Sequence, residues 1–471
     1  MAADAQILAD SLALSEPLRQ ENERLHDAIG RLEQRVAALI VENQTLRDQL
    51  DEAQRQAARQ AAPFRRRDSK KVAEDQRKSP GRPQGHPAVY RLVPEEVDEH
   101  IDVPLTACPQ CGGTVEDLET IEQYIEEIPP VRPWVAHLVT DRGQCGQCGE
   151  VQSLHPLKTS EATGAAKTHL GPRALALAAT LNKREGLTMR SVCRVLKSVA
   201  GLRLSPGGLA QWVQRVGHKA RPAYDALVTD VRRSAAAFVD ETSWYVGAPG
   251  HWLWVFATDT TTVYRVEKSR GRSVVTDTLG SEFTGVLVSD CLATYDHVPY
   301  RTHKCIAHHL KAIAEARERP DTKDPSYLDQ WKQFFQEVIA HWRAQPEMDA
   351  ANVVERRRDL DQWYDRLLSE ARTQPGDVAI QKRIGKRRDH ILVCLDDPAV
   401  EPTNNRAERE LRPAVIARKL SCGNKTEAGK TSFEVLASVA TTCVKRGHDV
   451  ISFIAGLLPF NARASPVPAA Q

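Results

Sequence analysis

Three acids, far apart along the chain, carry the strongest chemical signal. Asp240 closes the run Phe238-Val239-Asp240, Asp290 closes Leu287-Val288-Ser289-Asp290, and Glu408 sits in Asn404-Asn405-Arg406-Ala407-Glu408. Carboxylates are hard oxygen donors, and three gathered at one point can hold two Mg²⁺ ions. Such a pair serves in-line displacement at a phosphodiester, activating a water or a 3′-hydroxyl on one side and stabilising the leaving oxygen on the other. Asp240 is expected to bridge both ions, with Asp290 and Glu408 serving mainly one each. On a helix starting near Pro402-Thr403, Asn404, Glu408 and Arg412 share a face at i, i+4 and i+8, with Asn405 alongside. These three polar neighbours, Asn404, Asn405 and Arg412, are expected to hold substrate phosphate.

A second constellation is Cys108-Pro-Gln-Cys111 and Cys145-Gly-Gln-Cys148. Paired Cys-x-x-Cys knuckles predict one tetrahedral Zn²⁺, structural because four thiolates leave no open position. Strands are expected between them, at Ile121–Ile128 and Trp134–Thr140, as in a zinc ribbon. Residues 91–161 hold fourteen acidic and four basic side chains. Phosphate would be repelled there, so this module reads as scaffold or protein contact surface.

The acids need elements to position them. Ala236–Asp240, Trp252–Asp259, Val263–Val266 and Val286–Asp290 read as strands, with a helix at Ser273–Leu279 before the last. Three antiparallel strands, a helix and a further strand begin an RNase H-like sheet, in which the first and fourth strands lie side by side. Asp240 and Asp290 then end adjacent strands, and Glu241 points to the other face. Residues 310–398 are rich in helix formers and read as a helical insertion, with Lys382, Arg383, Lys386, Arg387 and Arg388 as a positive edge that clamps DNA.

The net charge of +2 over 471 residues hides an uneven distribution. Residues 64–88 carry eight basic and three acidic side chains, and 163–233 carry thirteen and three. Both are fit for phosphate. In the first, Arg65, Arg66, Arg67, Lys70 and Lys71 suit backbone contact, and Arg82 in Pro80-Gly81-Arg82-Pro83 suits a narrow minor groove. In the second, helices at Arg173–Lys183, Met189–Ala200 and Leu209–Val216, with Gly201 as a stop and Ser205-Pro206 as a start, resemble helix-turn-helix. Arg190, Arg194 and Lys197 are the phosphate candidates there, and Gln211 is the candidate for a base edge.

Ahead of all this, Leu18, Leu25, Leu32, Leu39 and Leu46 recur every seven residues, with Asn22, Ile29, Val36, Asn43 and Leu50 at the companion positions. That seam predicts a parallel two-stranded coiled coil and hence a homodimer or larger oligomer. No stretch approaches the ~20 apolar residues of a membrane span, and Met1–Asp10 lacks a secretory signal, so a cytoplasmic, nucleoid-associated protein with reduced thiols is expected.

The fold class expected is thus multidomain α+β: a coiled-coil dimerisation helix (14–62), a basic flexible linker (63–90), a four-Cys zinc module (91–161), a helix-turn-helix-like DNA-binding region (163–233), an RNase H-like catalytic core (234–460) with its helical insertion, and a disordered tail (461–471). Asp240-Glu241-Thr242, Ser289-Asp290, Cys305-Ile306-Ala307-His308-His309-Leu310 and Pro402-Thr-Asn-Asn-Arg-Ala-Glu408-Arg-Glu-Leu-Arg412 resemble the transposases of the insertion sequence 66 family, TnpC type. The likeness extends over nearly the whole chain. It implies a DDE nuclease and strand transferase that binds the ends of its element and joins them to target DNA, with Asp240, Asp290 and Glu408 as the triad and accessory proteins of the same element as partners. One departure is visible, since that family commonly has Leu directly after its first His and here His309 follows His308. The rival class is a dimeric zinc-containing DNA-binding regulator derived from a transposase and without catalysis.

Overall fold

The computed structural model describes residues 20–22, 24–40, 42–43, 46, 91–153, 155–158 and 169–458. Leu18 and Leu50, the linker residues Arg65, Arg66, Arg67, Lys70, Lys71 and Arg82, and the tail 461–471 lie outside them. The chain divides into a unit of Met1–Pro83 and a unit of Gln84–Gln471. In the first, residues 24–40 form helix α1, along which Leu25, Ile29, Leu32, Val36 and Leu39 are all exposed.

In the second unit, the two segments expected as zinc-ribbon strands, 121–128 and 134–140, carry no strand pairing. Pro129, Pro130 and Pro133 separate them and supply no amide hydrogen for a ladder. The hairpin lies later, with β1 (Arg142–Cys145) antiparallel to β2 (Gly149–Gln152). Its turn is the second Cys knuckle itself, closed by Gly149 at φ 75°.

Beyond it come helices α2 (Pro172–Lys183), α3 (Met189–Ala200), α4 (Pro206–Lys219) and α5 (Arg221–Arg232). The predicted punctuation holds: Gly201 ends α3 in the left-handed region at φ 67°, and the Ser205 side chain caps α4 by accepting from the Gly208 amide at 3.1 Å.

A five-stranded mixed sheet follows, built from β3 (Ala236–Val246), β4 (Ala248–Ala257), β5 (Thr262–Glu267), β6 (Val286–Ser289) and β7 (Arg301–Lys304), with α6 (Arg272–Leu279) between β5 and β6. The order is β5-β4-β3-β6-β7, antiparallel from β5 to β3 and parallel from β3 to β7. Strand β7 escapes a reading by apolar runs, because Arg301-Thr302-His303-Lys304 is polar throughout. Thr302, His303 and Lys304 are nevertheless buried. Thr302 Oγ1 lies 2.8 Å from His390 Nδ1, and Lys304 Nζ reaches Asp296 at 3.2 Å.

Both faces of the sheet are covered, which is why β4 and β6 carry long apolar runs. Ala237, Val239, Trp254 and Phe256 face a core shared with α2–α6 and with α13 (Glu427–Lys445) and α14 (Val450–Gly456). The region 163–233 therefore does not keep a core to itself. Ala236, Phe238, Leu253 and Val255 face a second core. It is filled by α7 (Ile306–Arg317), α8 (Ser326–Ala344), α9 (Ala350–Ser369), α10 (Pro375–Gly385), α11 (Arg388–Ile391) and α12 (Asn405–Ser421). None of the described helices is long and apolar enough to cross a membrane.

The outer edge of β5 would leave its amides unpaired, a cost and an aggregation hazard. Helix α13 satisfies them with three side chains at i, i+4 and i+8. Glu434 Oε1 accepts from Val266 N at 2.6 Å, Ser438 Oγ from Tyr264 N at 2.8 Å, and Thr442 Oγ1 from Thr262 N at 3.0 Å. Burial pushes the Glu434 carboxyl up to about 7. A carboxyl raised in the folded state gives its full stability below the ordinary glutamate range and loses it as pH rises through about 7. Glu434→Gln keeps the acceptor without the charge, so its melting temperature should exceed that of the wild type at pH 8, by an amount equivalent to at most about 3 kcal/mol. The gap should close below about pH 4.5; a gap independent of pH would contradict this origin.

Candidate active site

Asp240 lies inside β3, which runs on past the expected end at 240 to Val246, and Asp290 directly follows β6. Parallel pairing aligns Ala236 with Val286 and Phe238 with Val288. The pairing stops there, two residues before Asp240 and Asp290. Glu408 is delivered by α12, whose start is pinned to the same place. Asn404 Nδ2 donates to Val239 O at 2.9 Å, and Asn404 N donates to Cys305 Sγ at 3.1 Å. Glu408 lies one turn into the helix, its amide bonded to Asn404 O at 3.2 Å.

The electrostatics report the same convergence. Burial pushes the Asp240 carboxyl up to about 7, and the charges of Glu241, Asp290 and Glu408 add to it, against the Glu241 amide that donates to Asp240 Oδ1 at 2.9 Å. Among the described residues neither Asp240 nor Asp290 has an ion-pair partner. Asp290 Oδ1 instead accepts from Leu292 N at 2.9 Å, fixing the loop after β6. The triad carboxylates are not drawn to within 4.8 Å of one another; the donors that are, among the described residues, are Cys305, His308 and Glu408.

A buried network beneath the acids was not legible in the sequence. Glu241 occupies the opposite face of β3, where Arg270 Nη2 reaches it at 2.8 Å and the Tyr295 hydroxyl donates to Oε2. The guanidinium of Arg270 also lies 4.3 Å from the Trp252 ring centroid. Alongside, Lys304 Nζ, fully buried, bonds Ser289 Oγ at 3.3 Å and Asp296 at 3.2 Å, while Arg387 Nη2 reaches Asp296 at 2.9 Å. Against burial, which would raise it, Lys304 and Arg387 hold the Asp296 carboxyl below its usual range. These contacts clamp the 290–296 loop that carries Asp290.

The remaining predicted residues fall as follows. Asn405 and Arg412 are exposed on α12, Arg190, Arg194 and Lys197 on α3, and Gln211 on α4. Asn404 does not fit a phosphate-binding role, because it is fully buried and its amide is spent on the strand. It is a strut that positions α12. The expected clamp at 382–388 is largely engaged internally, with Arg387 on Asp296 and Arg388 on Asp361 and Asp365. His309 is a core residue stacked 5.6 Å from the Phe335 ring, leaving His308 on the Glu408 side at 4.0 Å.

At the cysteine knuckles the turns aim backbone amides at sulfur. The amides of Cys111 and Gln110 draw the Cys108 thiol below its ordinary value, and those of Gln147 and Cys148 do the same for Cys145. The two knuckles do not gather their four thiols into one coordination shell among the described residues.

Comparison with known proteins adds two findings. The family described as "Transposase IS66 family" matches residues 167–432, a span that includes Asp240, Asp290 and Glu408. A protein of Sinorhizobium fredii (strain NBRC 101917 / NGR234), described as "Uncharacterized protein y4qI", is 25% identical over 407 residues, covering 79% of this chain and 74% of that protein.

Proposed function

This chain belongs to the IS66 family of transposases, and on that premise we propose that it binds the ends of an insertion sequence and catalyses metal-dependent strand cleavage and strand transfer into target DNA. The observation that carries this reading is placement: Asp240 on β3, Asp290 directly after the parallel neighbour β6, and Glu408 one turn into α12, whose N-cap Asn404 donates to Val239 O at 2.9 Å. The donor set suits Mg²⁺, being oxygen throughout and in excess of negative charge. Asp240, Asp290 and Glu408 would hold two such ions, which would supply activation of the attacking oxygen and stabilisation of the leaving one. The chain's own contribution is position. The register of β3 with β6 sets the first two acids, and the Asn404 strut sets the third. Asn405 and Arg412, exposed on α12, bind substrate phosphate beside them. The strand order, with helices on both faces, supports an RNase H-like core for 234–460 with the insertion at about 310–398.

The other segments serve DNA and assembly in this reading. Arg190, Arg194 and Lys197 at i, i+4 and i+7 form an exposed basic row on α3, with Gln211 on the helix that follows. The basic linker tracks the backbone. Cys108, Cys111, Cys145 and Cys148 take one structural Zn²⁺ that draws the two knuckles together, the inward-turned amides at each favouring thiolate. The exposed seam of α1 pairs with a second copy. Because Leu25 and Leu32 are 54% and 64% exposed, Leu25→Lys with Leu32→Lys should leave the fold intact and turn dimers into monomers by sedimentation. An unchanged mass would place assembly elsewhere.

The test of the whole reading is incubation of the purified protein with Mg²⁺ and linear DNA carrying the inverted repeats that flank its gene. Nicks with 3′-hydroxyl ends at the element boundary are expected. DNA that is bound but never cut, with Mg²⁺ or Mn²⁺ and with the accessory proteins of the same element added, would overturn the catalytic part and leave the regulator.

A further inference from the structure

Two helix starts abut at the third acid. Ile306 N, opening α7, donates to Pro402 O at 2.9 Å, and Asn404 N, at the start of α12, donates to Cys305 Sγ at 3.1 Å. Cys305 is the N-cap of α7 and His308 lies three residues on, a spacing that brings the two side chains together over the first turn. The result is one sulfur, one imidazole nitrogen and one carboxylate oxygen from Glu408, all within 4.8 Å of one another. The convergence is not explained by hydrogen bonding. His308 Nε2 stands 4.0 Å from Glu408 Oε1, too far for a bond, and His308 Nδ1 is buried without a partner.

We infer that Cys305, His308 and Glu408 form a binding site for a transition-metal dication of the Zn²⁺ type, sharing Glu408 with the proposed Mg²⁺ triad. Bonds of ~2.0–2.3 Å place tetrahedral ligand atoms roughly 3.5 Å apart, so rotamer adjustment closes the set and a fourth position stays open to water or a phosphate oxygen. Nitrogen and sulfur select Zn²⁺, Co²⁺ or Cd²⁺ and reject Mg²⁺, which demands oxygen. Burial pushes the Cys305 thiol up to about 11, and the amides of Asn404, His308 and Ala307 at the two helix starts oppose it. On binding, the metal–sulfur bond replaces the Cys305 S–H bond and the proton leaves to solvent. The consequence is competition: a soft ion that takes Glu408 withdraws it from Asp240 and Asp290. That consequence rests on the triad reading; the binding itself does not.

The binding is tested with the full chain and Co²⁺ alone, comparing wild type with His308→Ala and Cys305→Ser in the same titration. The knuckle cysteines are present in all three and cancel in the difference. Wild type should take up one equivalent more than His308→Ala, with tetrahedral cobalt absorption in the difference spectrum. Cys305→Ser should lose the sulfur charge-transfer band and bind this equivalent at least ~10-fold more weakly. Identical stoichiometry and spectra in wild type and His308→Ala would overturn the site, whether or not the protein cuts DNA. With cleavage established, the ratio of rates with and without Zn²⁺ is read within each variant. Inhibition relieved by excess Mg²⁺ and weakened in His308→Ala supports the competition, and inhibition unchanged in His308→Ala refutes it.

Discussion

Asp240→Asn should reduce cleavage of element-end DNA by at least ~10³-fold while DNA binding persists. The amide is isosteric with the carboxyl but offers neither the charge nor the second oxygen donor that two cations need, and the phosphate-binding side chains on α3 and α12 are untouched. The same variant carries a second, opposite signature. The Asp240 carboxyl, held up to about 7 by burial and by Glu241, is ionised at pH 8 at the expense of the fold. A raised group of this kind gives full stability below the ordinary aspartate range and loses it as pH climbs through about 7. Without metal at pH 8 the variant should therefore melt above the wild type, by the equivalent of up to a few kcal/mol, and should match it near pH 4. Loss of activity with gain of stability distinguishes a functional acid from a structural one. A variant that still cuts, or that melts below the wild type at pH 8, would show that Asp240 is misassigned.

Gly285→Ala should be the most damaging methyl addition in the core. A Cβ there would stand 2.4 Å from Ser234 O and 2.5 Å from Ala235 O, both backbone atoms that have no rotamer to yield. The position immediately precedes β6, where Val286 N donates to Ala235 O at 2.8 Å. Relief requires β6 to move off β3, which disturbs the parallel pairing just ahead of Asp240 and Asp290. The expected loss is ~3 kcal/mol or more, at the upper end for overpacking, and roughly 6–12 °C in melting temperature by differential scanning calorimetry. Gly207→Ala in the first turn of α4 is the control, since a Cβ there meets nothing within 4 Å. Equal melting of the two variants would refute the close-packing argument.

These predictions depend on features that differ in how far the sequence discloses them. The central strands were readable where the chain is apolar, at 236–239 and 286–288, and the acids stood out as charges after such runs; the continuation of β3 to Val246 was not readable, because it passes through Asp240-Glu241-Thr242-Ser243. The breaks at Gly201 and Ser205-Pro206 were readable because capping is local chemistry. Partnership was not. An amphipathic helix does not say which apolar face it meets, so the union of α2–α5 with the sheet and with α13 and α14 became visible only in three dimensions. Polar residues spent on burial were the other blind spot. Strand β7 is four polar residues in a row, and the Glu434, Ser438 and Thr442 ladder on the β5 edge looks in sequence like ordinary helix surface. Asn404 shares a helical face with Glu408 by spacing, yet it sits at the N-cap and turns inward to Val239 O. Its proximity to Glu408 was legible; its role as a strut was not.

The most direct test of the central claim is anomalous diffraction from crystals of the protein bound to element-end DNA and soaked in Mn²⁺. Two anomalous peaks close together, within coordination distance of the carboxylates of Asp240, Asp290 and Glu408 and beside the scissile phosphate, are the predicted result. Ordered DNA there, with no peak bound by Asp240 and Asp290 together, would contradict it.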